Sequence, residues 1–307
     1  MDDLFAARPR SDDAPLDRAA LIAGLADVDV FVPTVTDNID AGVIEAAGPE
    51  LKLIANFGVG VDHIDLAAAH ARGIIVTNTP GVLTEDTADM TMALMLATVR
   101  RMRAGETALR QGAWDGWAPT SLRGTRIGGL ALGIVGMGRI GRAVAARARA
   151  FGMKVHYHNR RRLPPAVETG LGATWWDDLD TMLPEVDVLT VHCPLTPETD
   201  GLFDAGRLAR LRDDAYLINT ARGEIVDETA LAAALADGRL AGAGLDVFSE
   251  EPKVPPALLA LENVTLLPHM GSATFEGRRQ MGEKVVTNIR AWADGHRPPD
   301  QVLEGWE

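Results

Sequence analysis

Cysteine is nearly absent from this chain of 307 residues, with Cys193 the single example. One thiol excludes an internal disulfide framework and fits a reducing, cytoplasmic setting. Basic charge is short as well. Against 43 acidic residues stand 30 Lys and Arg, a net charge of −13; such a surface stays soluble and repels phosphate backbones, which argues against nucleic acid as a partner. Membrane-spanning runs are missing: the longest apolar stretch, residues 90–99, is too short and holds two threonines. The acidic start Met1-Asp2-Asp3 stands where a signal peptide would be basic. No CxxC, HExxH or clustered His/Asp pattern points to a metal, and there is neither an internal repeat nor a low-complexity tract.

What remains is a chain that is 47% hydrophobic and long enough for two cored domains. Short β-rich runs alternate with Ala-rich helical segments, which predicts parallel α/β architecture. Strands are expected at 28–32, 51–55, 74–76, 130–135, 155–158, 188–192, 216–219, 244–247 and 264–266. Helices are expected near 18–25, 41–47 and 66–72, then as one long helix over 85–103, and at 139–151, 228–236 and 277–294. The last is stopped by Gly295 and the pair Pro298-Pro299.

At the centre lies Gly133-Ile134-Val135-Gly136-Met137-Gly138-Arg139-Ile140-Gly141. It reads as a strand, a tight turn and a helix start, the arrangement that cradles a dinucleotide pyrophosphate. Gly136 permits the turn, Gly138 lets the backbone approach the phosphates, and Gly141 allows close packing of helix on strand. Backbone N–H groups at the helix N-terminus hold the anion. By itself the pattern also fits FAD, S-adenosylmethionine or any glycine-rich turn; the apolar strand before it and the helix after it favour the dinucleotide. The next strand runs into Asn159-Arg160-Arg161-Arg162. The acid that binds the NAD ribose is missing there, and arginines suit a 2′-phosphate, so NADP(H) is expected to be preferred, with NAD(H) possible. Three arginines in a turn also read simply as a solvated surface. A Rossmann domain over 98–285 is thus expected, flanked by a discontinuous second domain made of 1–97 and 286–307.

Three further motifs stand at predicted strand ends, where open α/β sheets place ligands. They are Asn219-Thr220-Ala221-Arg222-Gly223, Leu245-Asp246-Val247-Phe248 leading to Glu251-Pro252, and Leu267-Pro268-His269-Met270-Gly271-Ser272. An arginine, a carboxylate and a histidine near a nicotinamide suffice to reduce a 2-oxo acid. Arginine grips a carboxylate through its planar fork; histidine delivers a proton, oriented by the acid. Singly, each has a plainer reading as a solvated turn, an exposed loop acid or a loop-capping histidine.

With these motifs the chain resembles the D-isomer-specific 2-hydroxyacid dehydrogenases. The likeness also includes His192-Cys193-Pro194-Leu195-Thr196, Asn56-Phe57-Gly58-Val59-Gly60-Val61-Asp62-His63-Ile64-Asp65 and Thr77-Asn78-Thr79-Pro80-Gly81. It therefore extends over nearly the whole chain. The resemblance implies a central Rossmann domain and a flavodoxin-like substrate domain. Arg222 would bind the substrate carboxylate, His269 act as acid/base and Glu251 be its partner, while the N–H groups of Val59 and Gly60 also hold the carboxylate. On the cofactor side it implies Arg139, Ile140, Asn159, Arg160, Arg161, His192, Cys193, Pro194, Thr199, Thr220, Ala221 and Gly271, with Asp246 at the nicotinamide amide. Within the family, Trp117-Ala118-Pro119, Leu122-Arg123-Gly124 and Gly271-Ser272-Ala273-Thr274 resemble the glyoxylate/hydroxypyruvate reductase branch. There the tryptophan comes from the partner subunit of a homodimer and borders the active site. Here it would be Trp117, with Trp114 nearby; both equally fit a plain dimer interface. Ser272 is expected either to contact substrate or to cap the following helix.

One departure concerns the start. Family members open on a short apolar strand, whereas Met1-Asp2-Asp3-Leu4-Phe5 reads as lying beyond it. Either the start lies upstream or the strand is lost, with residues 2–10 rearranged to fill its place. Another dehydrogenase of the family, for D-lactate, phosphoglycerate or a bulkier oxo acid, fits the same triad. A non-catalytic nucleotide-sensing protein is the remaining alternative.

Overall fold

The computed structural model describes residues 5–9 and 14–303. They form two compact units, one of residues 1–83 with 274–307 and one of residues 84–273. The chain divides at the starts of two long helices, and each helix belongs whole to one unit.

The first unit opens with α1 (Arg18–Gly24), β1 (Val30–Phe31), α2 (Ala41–Ala46), β2 (Leu53–Ala55), α3 (Leu66–Ala71) and β3 (Ile75–Thr77). Asp17, Asp40 and Asp65 begin the three helices by accepting the N–H groups of Ala20, Val43 and Ala68, the N-cap role of a short acidic side chain. The strands form a parallel sheet in the order β1-β2-β3. Of the segment 2–10, expected to stand in for an opening strand, residues 5–9 are described and form no strand; Phe5 packs beside Val30, Phe57 and Trp292.

The second unit starts with α4 (Thr84–Val99) and α5 (Met102–Arg110). The expected single helix over 85–103 is therefore two, broken where Arg101 takes a left-handed φ of 55°. The cause is tertiary: Thr125 N–H donates to the Val99 carbonyl at 2.9 Å and ends the first helix there. Then follow β4 (Ala131–Val135), α6 (Arg139–Ala150), β5 (Lys154–His158), α7 (Pro165–Leu171), β6 (Ala173–Trp176), α8 (Leu179–Met182), β7 (Val188–Val191), α9 (Ala205–Leu208), β8 (Tyr216–Asn219), α10 (Glu228–Ala236), β9 (Gly242–Leu245), α11 (Pro256–Leu259) and β10 (Val264–Leu266). The strands make one seven-stranded sheet in the order β10-β9-β8-β7-β4-β5-β6. All pairs are parallel. The chain reverses direction across the sheet between β4 and β7, the switch point at which doubly wound sheets take ligands. The first unit then resumes with α12 (Phe275–Ala293), and Gly295, at φ 76°, ends it.

The register is what assembles the site. Val135 pairs with His158 and Val191, Val191 with Asn219, Asn219 with Leu245, and Leu245 with Leu266. These residues form one row at the carboxyl edge. Gly136, Asn159, His192, Thr220, Asp246 and Leu267 each come one residue beyond it. Every motif singled out in this part of the sequence therefore emerges along a single edge.

Candidate active site

Gly136 sits at φ 97°, and a Cβ there would lie 2.4 Å from Cys193 N. Glycine alone lets the turn pass this close to the next loop. A Cβ on Gly141 would come within 2.2 Å of the Gly136 carbonyl, so α6 packs directly on the turn. Gly138 differs, since no protein atom lies within 4 Å of where its Cβ would stand. It is exposed at the start of α6 beside Arg139. That open space, faced by a helix N-terminus, fits a dinucleotide pyrophosphate.

Asn159 ties the turn after β5 to the glycine loop. Its carboxamide oxygen accepts from Met137 N at 3.2 Å, and its NH2 donates to the Arg161 carbonyl at 2.8 Å. The three arginines that follow part company. Arg162 is bound to Glu168 through two hydrogen bonds of 2.9 Å. Arg160 and Arg161 are exposed and make no side-chain hydrogen bond or ion pair among the described residues.

After β7, the His192 ring lies 2.9 Å from the Thr190 hydroxyl, and burial pushes its imidazole down to about 3. Burial likewise drives the Cys193 thiol up to about 11, so it is no nucleophile at neutral pH. Thr199 closes this loop by donating to the Pro194 carbonyl at 2.7 Å and accepting from Thr196 N at 2.8 Å.

After β8, Asn219 shapes the arginine turn. Its oxygen accepts from Ala221 N at 3.0 Å, and its NH2 donates to the Arg222 carbonyl at 2.7 Å. Thr220 is anchored to α4: Thr91 gives its proton to the Thr87 carbonyl and receives the Thr220 hydroxyl at 2.9 Å. Gly223 has no room for a side chain, as a Cβ would fall 2.0 Å from the Phe248 carbonyl carbon. Arg222, between these, donates one guanidinium N–H to the Ala221 carbonyl at 2.8 Å.

His269 and Glu251 form the core of the site. Glu251 Oε2 lies 2.7 Å from His269 Nδ1, and its Oε1 accepts from Phe248 N at 3.0 Å. Burial works to raise this carboxyl, but the His269 hydrogen bond and nearby positive charge outweigh it and hold Glu251 below its ordinary range. An ionised carboxylate only accepts, so Nδ1 carries the hydrogen and Nε2 faces away with the exchangeable position. Both side chains stay partly exposed, at 29% and 32%. His269 has a left-handed φ of 50°. Its N–H is held by the Asp246 carbonyl at 2.8 Å. The two Asp246 side-chain oxygens accept from Met270 N and Gly271 N, each at 2.8 Å. Burial raises the Asp246 carboxyl, against these two N–H groups.

The first unit contains a separate array. Asn56 is fully buried after β2 and donates to the carbonyls of Gly58 at 3.2 Å and Gly60 at 2.8 Å. Asn78 after β3 donates to the Val59 carbonyl at 2.8 Å. In a trans peptide the N–H points opposite to the C=O. With the carbonyls of residues 58 and 59 turned to these amides, the N–H groups of Val59 and Gly60 are directed away from them, as an anion nest requires.

One expectation comes out differently. Ser272 does not cap the following helix; Thr274 does, accepting Gly277 N at 2.8 Å, because the cap must directly precede the first helical residue. Trp117 and Trp114 are exposed, at 84% and 54%. Asn56, Asn78 and Glu168 went unrecognised as supports. The two asparagines directly follow strands, the place where a short amide side chain organises a turn.

The family model for the D-isomer-specific 2-hydroxyacid dehydrogenase NAD-binding domain matches residues 92–271. The glyoxylate reductase of Thermococcus litoralis is 47% identical over 289 residues, 93% of this chain and 86% of its own length. That of Pyrococcus horikoshii is 42% identical over 98% of this chain and 91% of its own. Among solved structures, the NADPH-dependent glyoxylate/hydroxypyruvate reductase of Sinorhizobium meliloti, in complex with NADP and malonate, superposes with a TM-score of 0.83. It is 42% identical and covers 94% of this chain and 88% of its own. No helix among the described residues is long and apolar enough to cross a membrane, and no group of potential metal ligands occurs among them. The chain belongs to the D-isomer-specific 2-hydroxyacid dehydrogenase family and is an NAD(P)-dependent dehydrogenase acting on 2-oxo acids.

Proposed function

We propose that the protein reduces glyoxylate and hydroxypyruvate to their 2-hydroxy acids and prefers NADPH to NADH. The observation that carries the reaction is the 2.7 Å bond between Glu251 and His269 Nδ1, which leaves Nε2 as the proton donor. Bound along the carboxyl edge of the second unit's sheet, the nicotinamide supplies the hydride. Arg222 holds the carboxylate of the oxo acid and polarises the adjacent carbonyl. His269 Nε2 gives its proton to the carbonyl oxygen, and Glu251 stabilises the ring's charged form through Nδ1. Val59 and Gly60 present N–H groups suited to a carboxylate.

NADPH preference is supported by two exposed arginines, 160 and 161, that make no side-chain hydrogen bond among the described residues, and by an amide, Asn159, where a ribose-binding acid would repel phosphate. The small substrates are supported by the names of the relatives. We further infer a homodimer formed through α5 and the arm that follows it. None of the residues of α5 is buried, and Met102, Leu109, Trp114, Trp117 and Leu122 all project from this stretch. Trp117 is then positioned to limit substrate size in the partner. The lone Cys193 supports a cytoplasmic setting.

The test is steady-state oxidation of NADPH and NADH with glyoxylate, hydroxypyruvate and pyruvate. His269→Ala is expected to abolish turnover while NADPH still binds. Unchanged turnover in that variant overturns the acid/base role, and faster pyruvate reduction overturns the substrate assignment.

A further inference from the structure

One buried acid anchors the turn that carries Arg160 and Arg161. Glu168, on α7, is 8% exposed. It accepts the Tyr157 hydroxyl at 2.6 Å and both forks of Arg162 at 2.9 Å. The same hydroxyl accepts Leu163 N at 2.9 Å. Tyr157 is fully buried on β5, two residues before Asn159, while Arg162 and Leu163 lie where the turn ends. Glu168 therefore grips the turn at its entrance and its exit. The Arg162 guanidinium also lies over the Trp175 ring at 5.1 Å. Asn159 closes the turn from within.

The protonation states agree with this wiring. Hydrogen bonds from Arg162 and then Tyr157 hold the Glu168 carboxyl below its ordinary range, so it is ionised. Burial, and then Glu168, push the Tyr157 hydroxyl up to about 12, so it remains a donor. Arg162 is consumed in neutralising Glu168. Of the three arginines, 160 and 161 alone are held by no hydrogen bond or close ion pair among the described residues, with Arg160 within electrostatic reach of the Glu198 carboxylate.

We propose that Glu168 is a positioning residue for cofactor choice: through Tyr157 and Arg162 it fixes the 159–163 turn in the shape that offers Arg160 and Arg161 to the 2′-phosphate of NADPH. The proposal rests on the NADPH preference argued above. A turn ordered in the free protein spares the ligand the entropy of ordering two long side chains. The alternative, in which Arg162 is itself a phosphate ligand held back by Glu168, makes the opposite prediction for the same substitution.

Glu168→Gln keeps the size of the side chain but leaves one oxygen to serve both Tyr157 and Arg162. Dissociation constants for NADPH and NADH from cofactor fluorescence, and kcat at saturating cofactor, decide the matter. The expected result is about tenfold weaker NADPH binding, the scale of ordering two arginine side chains. NADH should change less than about twofold on that reasoning, and kcat should not change, since no ordering beyond the 2′-phosphate is lost. Equal weakening of both cofactors indicates general damage and overturns the proposal, as does unchanged or tighter NADPH binding. Tyr157→Phe removes only the hydroxyl and serves if Glu168→Gln is not recovered folded. It should weaken NADPH selectively, by about threefold, and no selective loss overturns the proposal equally. Wild-type protein that binds both cofactors equally overturns the NADPH preference and this proposal together. A wild-type preference that survives both substitutions overturns this proposal alone.

Discussion

The three glycines after β4 carry distinct expected roles, and the structure predicts opposite consequences for adding one methyl group at two of them. In Gly141→Ala the new Cβ would start 2.2 Å from the Gly136 carbonyl oxygen, with an Ile134 methyl at 3.2 Å. Ordinary contact begins near 3.4 Å, so α6 must move off the strand by more than an ångström. Overpacking of this kind costs about 1–3 kcal/mol, which lowers the melting temperature by roughly 3–10 °C for a unit of this size. It also drags the N–H groups at the start of α6 out of place. Gly138→Ala is the reverse. No protein atom lies within 4 Å of that Cβ, and Gly138 has φ −74°, which alanine adopts without strain. Alanine there removes unfolded-state entropy worth about 0.4–1 kcal/mol, so melting should hold or rise by about 1–3 °C. The methyl group instead occupies the space left for pyrophosphate, and NADPH binding should fall by about 100-fold, the scale of a clash worth nearly 3 kcal/mol. Differential scanning fluorimetry and cofactor titration on both variants read the two effects separately. Gly138→Ala that binds NADPH within about threefold of wild type refutes the close approach at Gly138. Gly141→Ala with wild-type melting refutes the packing argument.

Two further outcomes follow from enclosed polar groups, the half-buried His192 and the buried Asp246. Burial holds His192 near 3 in the folded protein, against an ordinary value of 6.5. Between those values the unfolded chain binds the extra proton, so stability is full above about pH 6.5 and falls as pH drops, by at most about 1.4 kcal/mol per unit. Urea midpoints at pH 7 and pH 5 should therefore differ more for wild type than for His192→Gln, and equal differences refute the neutral histidine. Asp246→Asn leaves the N–H of Met270 or Gly271 without an acceptor, a loss of about 1–3 kcal/mol. Because that loop carries His269, kcat should fall well beyond any change in NADPH affinity; a variant with wild-type kcat removes Asp246 from the support of the histidine.

Much of this was legible because the sheet obeys local rules. The strands 216–219 and 264–266 and the helix 228–236 have the boundaries that their apolar patterns indicate. The residues of the candidate site were legible too, since Arg222, Glu251 and His269 stand in motifs at or after strand ends. The break at Arg101 was not. It depends on Thr125 returning to the end of α4, a contact 26 residues away that no window along the sequence contains. The strand β6, with sequence Ala-Thr-Trp-Trp, also escaped detection. It is short and only partly buried, so its pattern neither alternates nor runs apolar. That Arg162 is tied down while Arg160 and Arg161 stay exposed was hidden for the same reason as the helix break. It depends on Glu168, which comes from a helix that the apolar pattern did not reveal.

The histidine shows why motif and geometry are different kinds of information. A non-glycine residue at φ 50° carries a cost of about 1–2 kcal/mol relative to ordinary backbone. It persists only where the surroundings over-determine it. Here the Asp246 carbonyl takes the His269 N–H, the Asp246 carboxylate takes the next two N–H groups, and Glu251 takes Nδ1. The first three bonds fix the backbone, and the last fixes the ring and its tautomer. Asp246 is buried and its carboxyl is raised by that burial. The loop is thus held by a charge that its own surroundings disfavour and that two N–H groups keep in place. A hydrophobic residue at 246 would relieve the burial cost and release the loop. An acid at the end of β9 is therefore needed for the direction of His269, apart from any contact it makes with a ligand.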